Sequence, residues 1–379
     1  MTDLVARVRR RMAADAVDLD TVVRVESDQI VDDAALARLR GSVEAELVGA
    51  GPLEPLLGIP GITDVLVNGP DDVWIDRGSG LERAQVGFAD DSAVRRLARR
   101  LATAAGRRLD DAMPFADAAL PGGTRFHAVL PPITDTTTLS LRVLAREHHD
   151  LPGLVRRGAM PAELAEVLQA VIAARLAFTI SGGTGTGKTT LLGSLLGTAP
   201  SQDRLIVIED AAELVIDHPH VVRLVTRTAN VEGAGAIGLR ELVRQALRMR
   251  PDRLVVGEFR GAEMVELAVA LNTGHDGGAA TVHANSAADV PSRFAALGAL
   301  AGLSAADVAT LVGCAVDVVI HLRRRQGRRF VDEVGLLRRT GGELIVSPVW
   351  TARSGPDEGC GRLAALLSER GVRVPELLR

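Results

Sequence analysis

Residues 176–192 read Leu-Ala-Phe-Thr-Ile-Ser-Gly-Gly-Thr-Gly-Thr-Gly-Lys-Thr-Thr-Leu-Leu. An apolar run of strand length enters a glycine-rich turn and leaves it as the helical pattern LLGSLL. Gly182 to Thr189 satisfy G-x-x-x-x-G-K-[ST] in the strand–loop–helix setting the motif requires. Its glycines let the backbone take φ > 0 and fold its N–H groups around a phosphate. The start of the following helix adds partial positive charge. Lys188 is expected to reach the β- and γ-phosphates of a nucleotide, and the Thr189 hydroxyl to hold Mg²⁺. Gly182, Gly183, Thr184, Gly185, Thr186, Gly187 and Thr190 complete the expected cradle. Lysine and arginine together number 44, and Lys188 is the only lysine, which leaves 43 arginines. Ordinary surface cations are thus arginines here, and the compact ammonium is kept at one position, where its chemistry differs from a planar guanidinium.

Working outward, residues 161–379 alternate between helix and strand patterns. AELAEVLQAVIAA reads as a helix and LAFTI as a strand, and the glycine loop with its helix follows. RLIVIED and HVVRLVT are strands, LRELVRQALRMR a helix, RLVVGE a strand, AEMVELAVALN a helix and AATVHA a strand. This rhythm predicts an α/β domain, a parallel sheet with helices on both faces. Two more helical stretches (287–315) and the strands VDVVIHL and RRFVDEVGLL end the pattern. Upstream, residues 51–145 read as a separate α+β domain. ITDVLVNG and DDVWID form strands around an Asn-Gly-Pro-Asp turn; SAVRRLARRLATAAG is a helix; TRFHAVLPP and TTLSLRVL are further strands. Residues 146–160, polar and punctuated by Pro and Gly, read as a linker. Residues 1–50 carry Leu36, Leu39, Val43 and Leu47 at helical spacing, which predicts a short helical segment.

Three further segments carry chemistry. Arg253-Leu254-Val255-Val256-Gly257-Glu258 is an apolar strand ending in an acid. Behind a phosphate-binding loop, its carboxylate is placed to hold the Mg²⁺ shell or to polarise an attacking water. The strand at 205–209 delivers Glu209, Asp210 and Glu213 within five residues. Such acids repel one another unless a cation or donors stand nearby; Mg·ATP would supply the cation, although a solvated turn would also tolerate them. His275 and His283 flank the pair Gly277-Gly278 at a spacing that suits no familiar zinc motif.

These four segments, in this order, resemble the secretion and pilus-assembly ATPases of the type II/type IV secretion superfamily. The nearest likeness is to the tight-adherence (Flp-type) pilus branch, the CpaF-like group. The family's Walker A, Asp box, Walker B and His box read here GGTGTGKT, IEDAAEL, LVVGEFRGAE and TGHDGGAATVHAN. The likeness extends upstream to GAGPLEPLL, ITDVLVNGPDDVWIDR and PGGTRFHAVLPP, and so covers about residues 48 to 322. It implies a RecA-like P-loop NTPase domain behind an N-terminal α+β domain and a short helical segment, with ATP and Mg²⁺ as cofactors. It also implies a homo-hexamer that binds ATP between the two domains and pushes on inner-membrane platform proteins. Carried over by position, Glu258 is the water-activating glutamate, and Glu213 and Glu209 are acids around Mg²⁺, with Glu213 acting through water. His275 and His283 sense the γ-phosphate. Arg125 and Arg142 match arginines that approach the phosphates across the cleft, where surface ion pairing would explain them equally well. Two positions depart from the family: Gly278-Ala279-Ala280 lacks the usual Ser, a hydroxyl expected near the phosphates, and Phe259 replaces a smaller aliphatic.

Bulk composition narrows the alternatives. Net charge is −4, aromatics are 2% and tyrosine is absent, so base stacking has little to work with and nucleic acid is not the expected partner. Cys314 and Cys360 form no disulfide or metal pattern, which favours a reducing compartment. No apolar run approaches the roughly 18–20 residues of a membrane span, and MTDLVARVRRRMAADAVD lacks a signal-peptide core. The expected location is the cytoplasm, with peripheral association at the inner face of the cytoplasmic membrane. A conjugation-type ATPase moving protein or DNA would share every motif, and a nucleic-acid-stimulated helicase-like motor is the more distant alternative. The run Arg323-Arg324-Arg325-Gln326-Gly327-Arg328-Arg329 reads as a solvated hairpin turn, or as a contact for membrane or nucleic-acid phosphates. The basic stretch Arg7 to Arg11 reads as a docking handle or a frayed end.

Overall fold

The structure is a computed structural model that describes residues 7–8, 11, 19–27, 33–47, 49–78, 80–120, 123–143, 149–227, 229 and 234–379. The chain divides into two units, Met1–Ala145 and Arg146–Arg379, built by different rules.

In the first unit, helices α1 (Leu19–Glu26) and α2 (Asp33–Leu47) close over Val8, Val22, Val23, Leu36 and Val43, with Leu39 and Leu47 packed alongside. Arg7 and Arg11 both reach Glu26; Arg9 and Arg10 of the basic stretch lie outside the described residues. A six-stranded antiparallel sheet follows, in the order β3-β2-β1-β6-β5-β4. Its strands are β1 (Asp64–Val67), β2 (Val73–Asp76), β3 (Leu81–Arg83), β4 (Phe115–Ala119), β5 (Arg125–Val129) and β6 (Thr138–Arg142). Along β1 and β5 burial alternates residue by residue, as expected of a sheet with one face on a core. That face packs with Val94, Leu97, Ala98 and Leu101 of α3 (Asp91–Ala104). Asp90 caps α3 by accepting from the Ala93 N–H at 2.7 Å, which satisfies one orphan donor of the helix start. Trp74 on β2 is half-buried and donates its Nε1–H to Asp72 at 2.8 Å. Strands β3 and β4 were not expected: β3 is exposed throughout and β4 reads Phe-Ala-Asp-Ala-Ala, so neither shows an apolar alternation.

The second unit is a nine-stranded sheet in the order β15-β14-β13-β12-β7-β11-β10-β8-β9. Six strands are mutually parallel: β7 (Phe178–Gly182), β8 (Leu205–Glu209), β9 (Val221–Val225), β10 (Arg253–Val256), β11 (Ala279–Val282) and β12 (Val318–Arg325). An antiparallel extension, β13 (Arg328–Thr340), β14 (Glu343–Thr351) and β15 (Gly355–Pro356), continues from β12. Alternate residues of each central strand feed opposite cores. Leu205, Val207 and Val255 pack with α5 (Ala162–Ala173), α6 (Lys188–Leu196) and α11 (Cys360–Glu369). Ile206, Ile208, Leu254 and Val256 pack with α7 (Leu239–Ala246), α8 (Glu263–Leu271), α9 (Val290–Leu300) and α10 (Ala305–Ala315). Burial on both faces is why these strands read as unbroken apolar runs. Trp350 on β14 is 6% exposed in the first of these cores.

The expected linker is corrected by the structure. Residues 146–148 lie outside the described residues, but Leu151–Arg156 forms a helix, α4, capped by Asp150, which accepts from the Gly153 N–H at 2.7 Å. Leu151 and Leu154 are buried in the core of the second unit; their helical spacing is hidden among Pro and Gly. Strands β14 and β15 and helix α11 were also not foreseen. Among the described residues no single helix is long and apolar enough to cross a membrane. The pair α9 and α10 passes that test only together, and it bends by 117°.

Candidate active site

Strand β7 ends at Gly182, where the loop passes so close to β12 that a Cβ would stand 2.5 Å from the Leu322 carbonyl oxygen. Gly187, at φ 94°, caps α6 in the left-handed region, which only glycine adopts without strain. Lys188 opens α6 and is 8% exposed. Its ammonium donates to the carbonyls of Gly182 at 2.9 Å and Gly183 at 3.0 Å, and the third N–H faces His283 Nδ1 at 3.4 Å. All three donors are thus engaged. Burial lowers its pKa and the charge of Glu258 opposes that shift.

Glu258 follows β10 and His283 follows β11. Because β7, β11 and β10 are adjacent and parallel, their C-terminal ends bring Lys188, His283 and Glu258 to one edge, where open α/β sheets bind ligands. His283 Nε2 lies 2.5 Å from Glu258 Oε1. The other carboxylate oxygen accepts from Arg260 Nε at 3.1 Å and Nη2 at 2.9 Å, and Arg260 also lies 3.4 Å from Asp210. An ammonium can only donate, so Nδ1 accepts from Lys188 and the proton of the neutral ring sits on Nε2, although Glu258 Oε1 forms no hydrogen bond among the described residues. Burial and then Lys188 push the His283 pKa below its usual value, against the pull of Glu258, so the ring is neutral at pH 7. For Arg260 burial works against the charge, but the bonds and charge of Glu258, with Asp210 and Glu213, raise its pKa overall.

The acidic segment separates into two roles. Glu209 is 4% exposed and its Oε1 accepts the N–H groups of Glu213 at 3.0 Å and Leu214 at 2.8 Å. Burial raises its pKa, and its Oε2 has no partner among the described residues. It therefore shapes the turn that carries Asp210 and Glu213, both of which are partly exposed. The Thr189 hydroxyl, partly exposed in the first turn of α6, bonds no other described group. A glycine cradle with left-handed backbone, a vacant hydroxyl and nearby carboxylates suit a phosphate chain and a hard divalent cation. Gly183, Thr184, Gly185 and Thr190 are exposed, and Thr186 is buried with its hydroxyl donating to Gly183 at 2.9 Å.

His275 is a correction. It precedes β11, at the end of the sheet opposite Lys188: the Gly278 carbonyl accepts from Phe178 N–H at the start of β7, and Gly277 sits against Arg175 and Arg253. Its Nδ1 lies 3.3 Å from the Ala270 carbonyl near the end of α8. The absent Ser hydroxyl at 279 belongs to the same far edge, so its loss does not touch the phosphate loop of this unit. Phe259 points into the core, 2% exposed and edge-on to Phe294 at 6.3 Å. In the first unit Arg125 and Arg142 are cross-strand neighbours on β5 and β6, and Arg142 donates to Asp64 at 3.0 Å.

Sequence reasoning missed three residues. Arg260 holds Glu258 from only two positions away. His321 on β12 is 2% exposed with Nδ1 2.9 Å from Ser181 Oγ, beneath the loop; a histidine inside VDVVIHL was the available signal. Arg329 donates its Nε–H to the Gly185 carbonyl at 2.9 Å.

The family model described as "Type II/IV secretion system protein" matches residues 46–353. A "Putative conjugal transfer protein" of Mycobacterium tuberculosis is 53% identical over 347 residues, 89% of this chain and 98% of that protein. The "Type IV secretion system protein PtlH" of Bordetella pertussis is 32% identical over 338 residues, 80% of this chain and 97% of that one. The solved Legionella pneumophila ATPase DotB aligns at a TM-score of 0.52 and 20% identity over 74% of this chain and 78% of that chain, a likeness of fold. The fold class is the expected one, an α/β RecA-like ATPase domain behind an N-terminal domain.

Proposed function

Because the chain belongs to the type II/IV secretion system protein family, we propose that it is an ATP-hydrolysing motor subunit that powers a pilus or secretion machine at the inner membrane. The observation that carries this reading is the line of groups from Lys188 through His283 to Glu258. It joins an ammonium, a neutral imidazole and a carboxylate at the mouth of a phosphate-shaped loop. Lys188 exchanges the two loop carbonyls for β- and γ-phosphate oxygens. Mg²⁺, held by Thr189 and through water by Glu213, supplies charge neutralisation when bound. Glu258 accepts the proton of the attacking water through Oε1, which makes no hydrogen bond among the described residues, while Arg260 holds Oε2. Glu209 supports that arrangement from below. Arg125 and Arg142 of the first unit are kept as proposed phosphate-contacting arginines, and the proposed working form is a homo-hexamer acting on inner-membrane platform proteins from the cytoplasmic face.

Motif wording supports the tight-adherence pilus branch. A second reading, conjugal transfer, is supported by the designation of the 53% identical Mycobacterium tuberculosis relative. Identifying the membrane proteins that co-purify with the chain separates the two. Phosphate release from Mg·ATP by the purified protein tests the chemistry. Lys188→Ala should lose turnover and most nucleotide affinity with the fold intact. Glu258→Gln should keep affinity while kcat falls by about 10²–10³. Wild-type turnover in either variant removes that residue from the mechanism.

A further inference from the structure

We propose that Arg329, on the hairpin between β12 and β13, is a further phosphate-binding residue of this nucleotide site. The inference rests on the reading of the glycine loop as a nucleotide cradle and extends it to a part of the chain beyond the family's four motif segments.

Strand β12 runs parallel to β7, with Leu322 opposite Gly182, and then continues past the end of β7. The hairpin it forms with β13 therefore reaches alongside the loop, with Arg323 to Arg329 exposed to solvent. Arg329 Nε donates to Gly185 O at 2.9 Å, and its Cδ stands 3.7 Å from where a Cβ on Gly187 would be. Its two terminal Nη groups bond no described residue. A guanidinium pinned through Nε leaves a planar fork of donors, the geometry that matches phosphate oxygens. A carbonyl of the loop points outward when its neighbouring N–H groups point inward to an anion, so the bond to Gly185 also favours the anion-binding form of the loop.

A second observation points the same way. Arg324 is the cross-strand partner of Arg329, and its Nη1 stands 3.7 Å from the Cβ position of Gly185. Two guanidinium groups on neighbouring strands thus stand beside Gly185 and add positive potential where an anion would enter the loop. Arg328 provides an internal contrast. As the adjacent residue it faces the other side of β13 and donates to the Gly158 carbonyl at 2.9 Å, away from the loop.

The test is equilibrium binding of Mg·ATP, Mg·ADP and inorganic tripolyphosphate to the full chain, compared among wild type, Arg329→Gln and Arg328→Gln. Unchanged thermal unfolding of the ligand-free variants checks the fold. Arg329→Gln should weaken all three ligands by about tenfold, the scale of one charge-assisted contact, and Arg328→Gln should stay within about twofold. Equal affinities for Arg329→Gln and wild type overturn the assignment, as does an equal loss in Arg328→Gln, which would make the effect one of net charge. A loss for ATP without one for tripolyphosphate places Arg329 at the base or ribose and also overturns it. A wild type that binds none of the three sinks the nucleotide site itself, a different failure from that of Arg329 alone.

Discussion

The two edges of the parallel sheet gather charged groups in opposite ways. At the edge where β10 begins, Arg253 is fully buried, donating to Asp203 at 2.8 Å and to the Ile172 carbonyl at 2.9 Å. Asp203 in turn accepts from Arg175. At the edge where β10 ends, the Glu258 side chain is 20% exposed and that of His283 is 42% exposed. There the ammonium of Lys188 is met by carbonyls of the very loop that a phosphate would enter. Partners at the first edge are fixed by neighbouring elements, whereas those at the second are placeholders. Sealed charge pairs of the first kind hold a fold in one arrangement; half-open ones of the second kind have somewhere to go.

The largest expected effect tests the sealed edge. Asp203→Asn leaves Arg253 buried without its counter-charge and should cost about 3–5 kcal/mol of stability in denaturant titrations. Mg·ADP affinity should be unchanged while the chain stays folded. Loss of that affinity in the folded variant would break the division between the edges. The next test uses the two histidines of one motif, which the four residues of β11 separate. His283→Ala should lower kcat by about 10²-fold, and His275→Ala should leave it within about twofold. Equal losses would mean that His275 reaches phosphates from its distant edge.

The smallest expected effect sharpens the picture beneath the loop. Burial holds the His321 pKa below its ordinary value, opposed by Asp332 and reinforced by Arg323. The folded chain therefore takes up that proton less readily than the unfolded one. The stability His321 contributes is complete above a pH of about 6.5 and is lost as pH falls through its depressed folded pKa. His321→Asn should cost about 1 kcal/mol at pH 7.5, and the gap from wild type should narrow on acidification to pH of about 5. A gap that widens instead would mean that the charged ring is the stabilising form.

Most of the second unit was legible because its strands are buried on both faces and its loop must hold glycines at fixed places. Leu205 to Glu209 and Arg253 to Val256 could hardly read as anything else. What escaped had weak local signals: α4 hides Leu151 and Leu154 among Pro and Gly, and the exposed β3 shows no alternation. Within the site, Lys188 and Glu258 announced themselves through spacing. Arg329 did not, because its place beside Gly185 depends on how far β12 outruns β7, a matter of register that no short motif records. His275 was misplaced for a related reason: a motif counts residues along the chain, and a strand carries its two ends to opposite sides of the sheet.

Tryptophan placement makes the two units separately observable. The chain has two tryptophans and no tyrosine, with Trp74 in the first unit and Trp350 in the second. Trp74→Phe would leave an optical signal arising almost wholly from β14. Its emission would report melting of the ATPase unit alone, and the converse substitution would report the other unit without any attached dye.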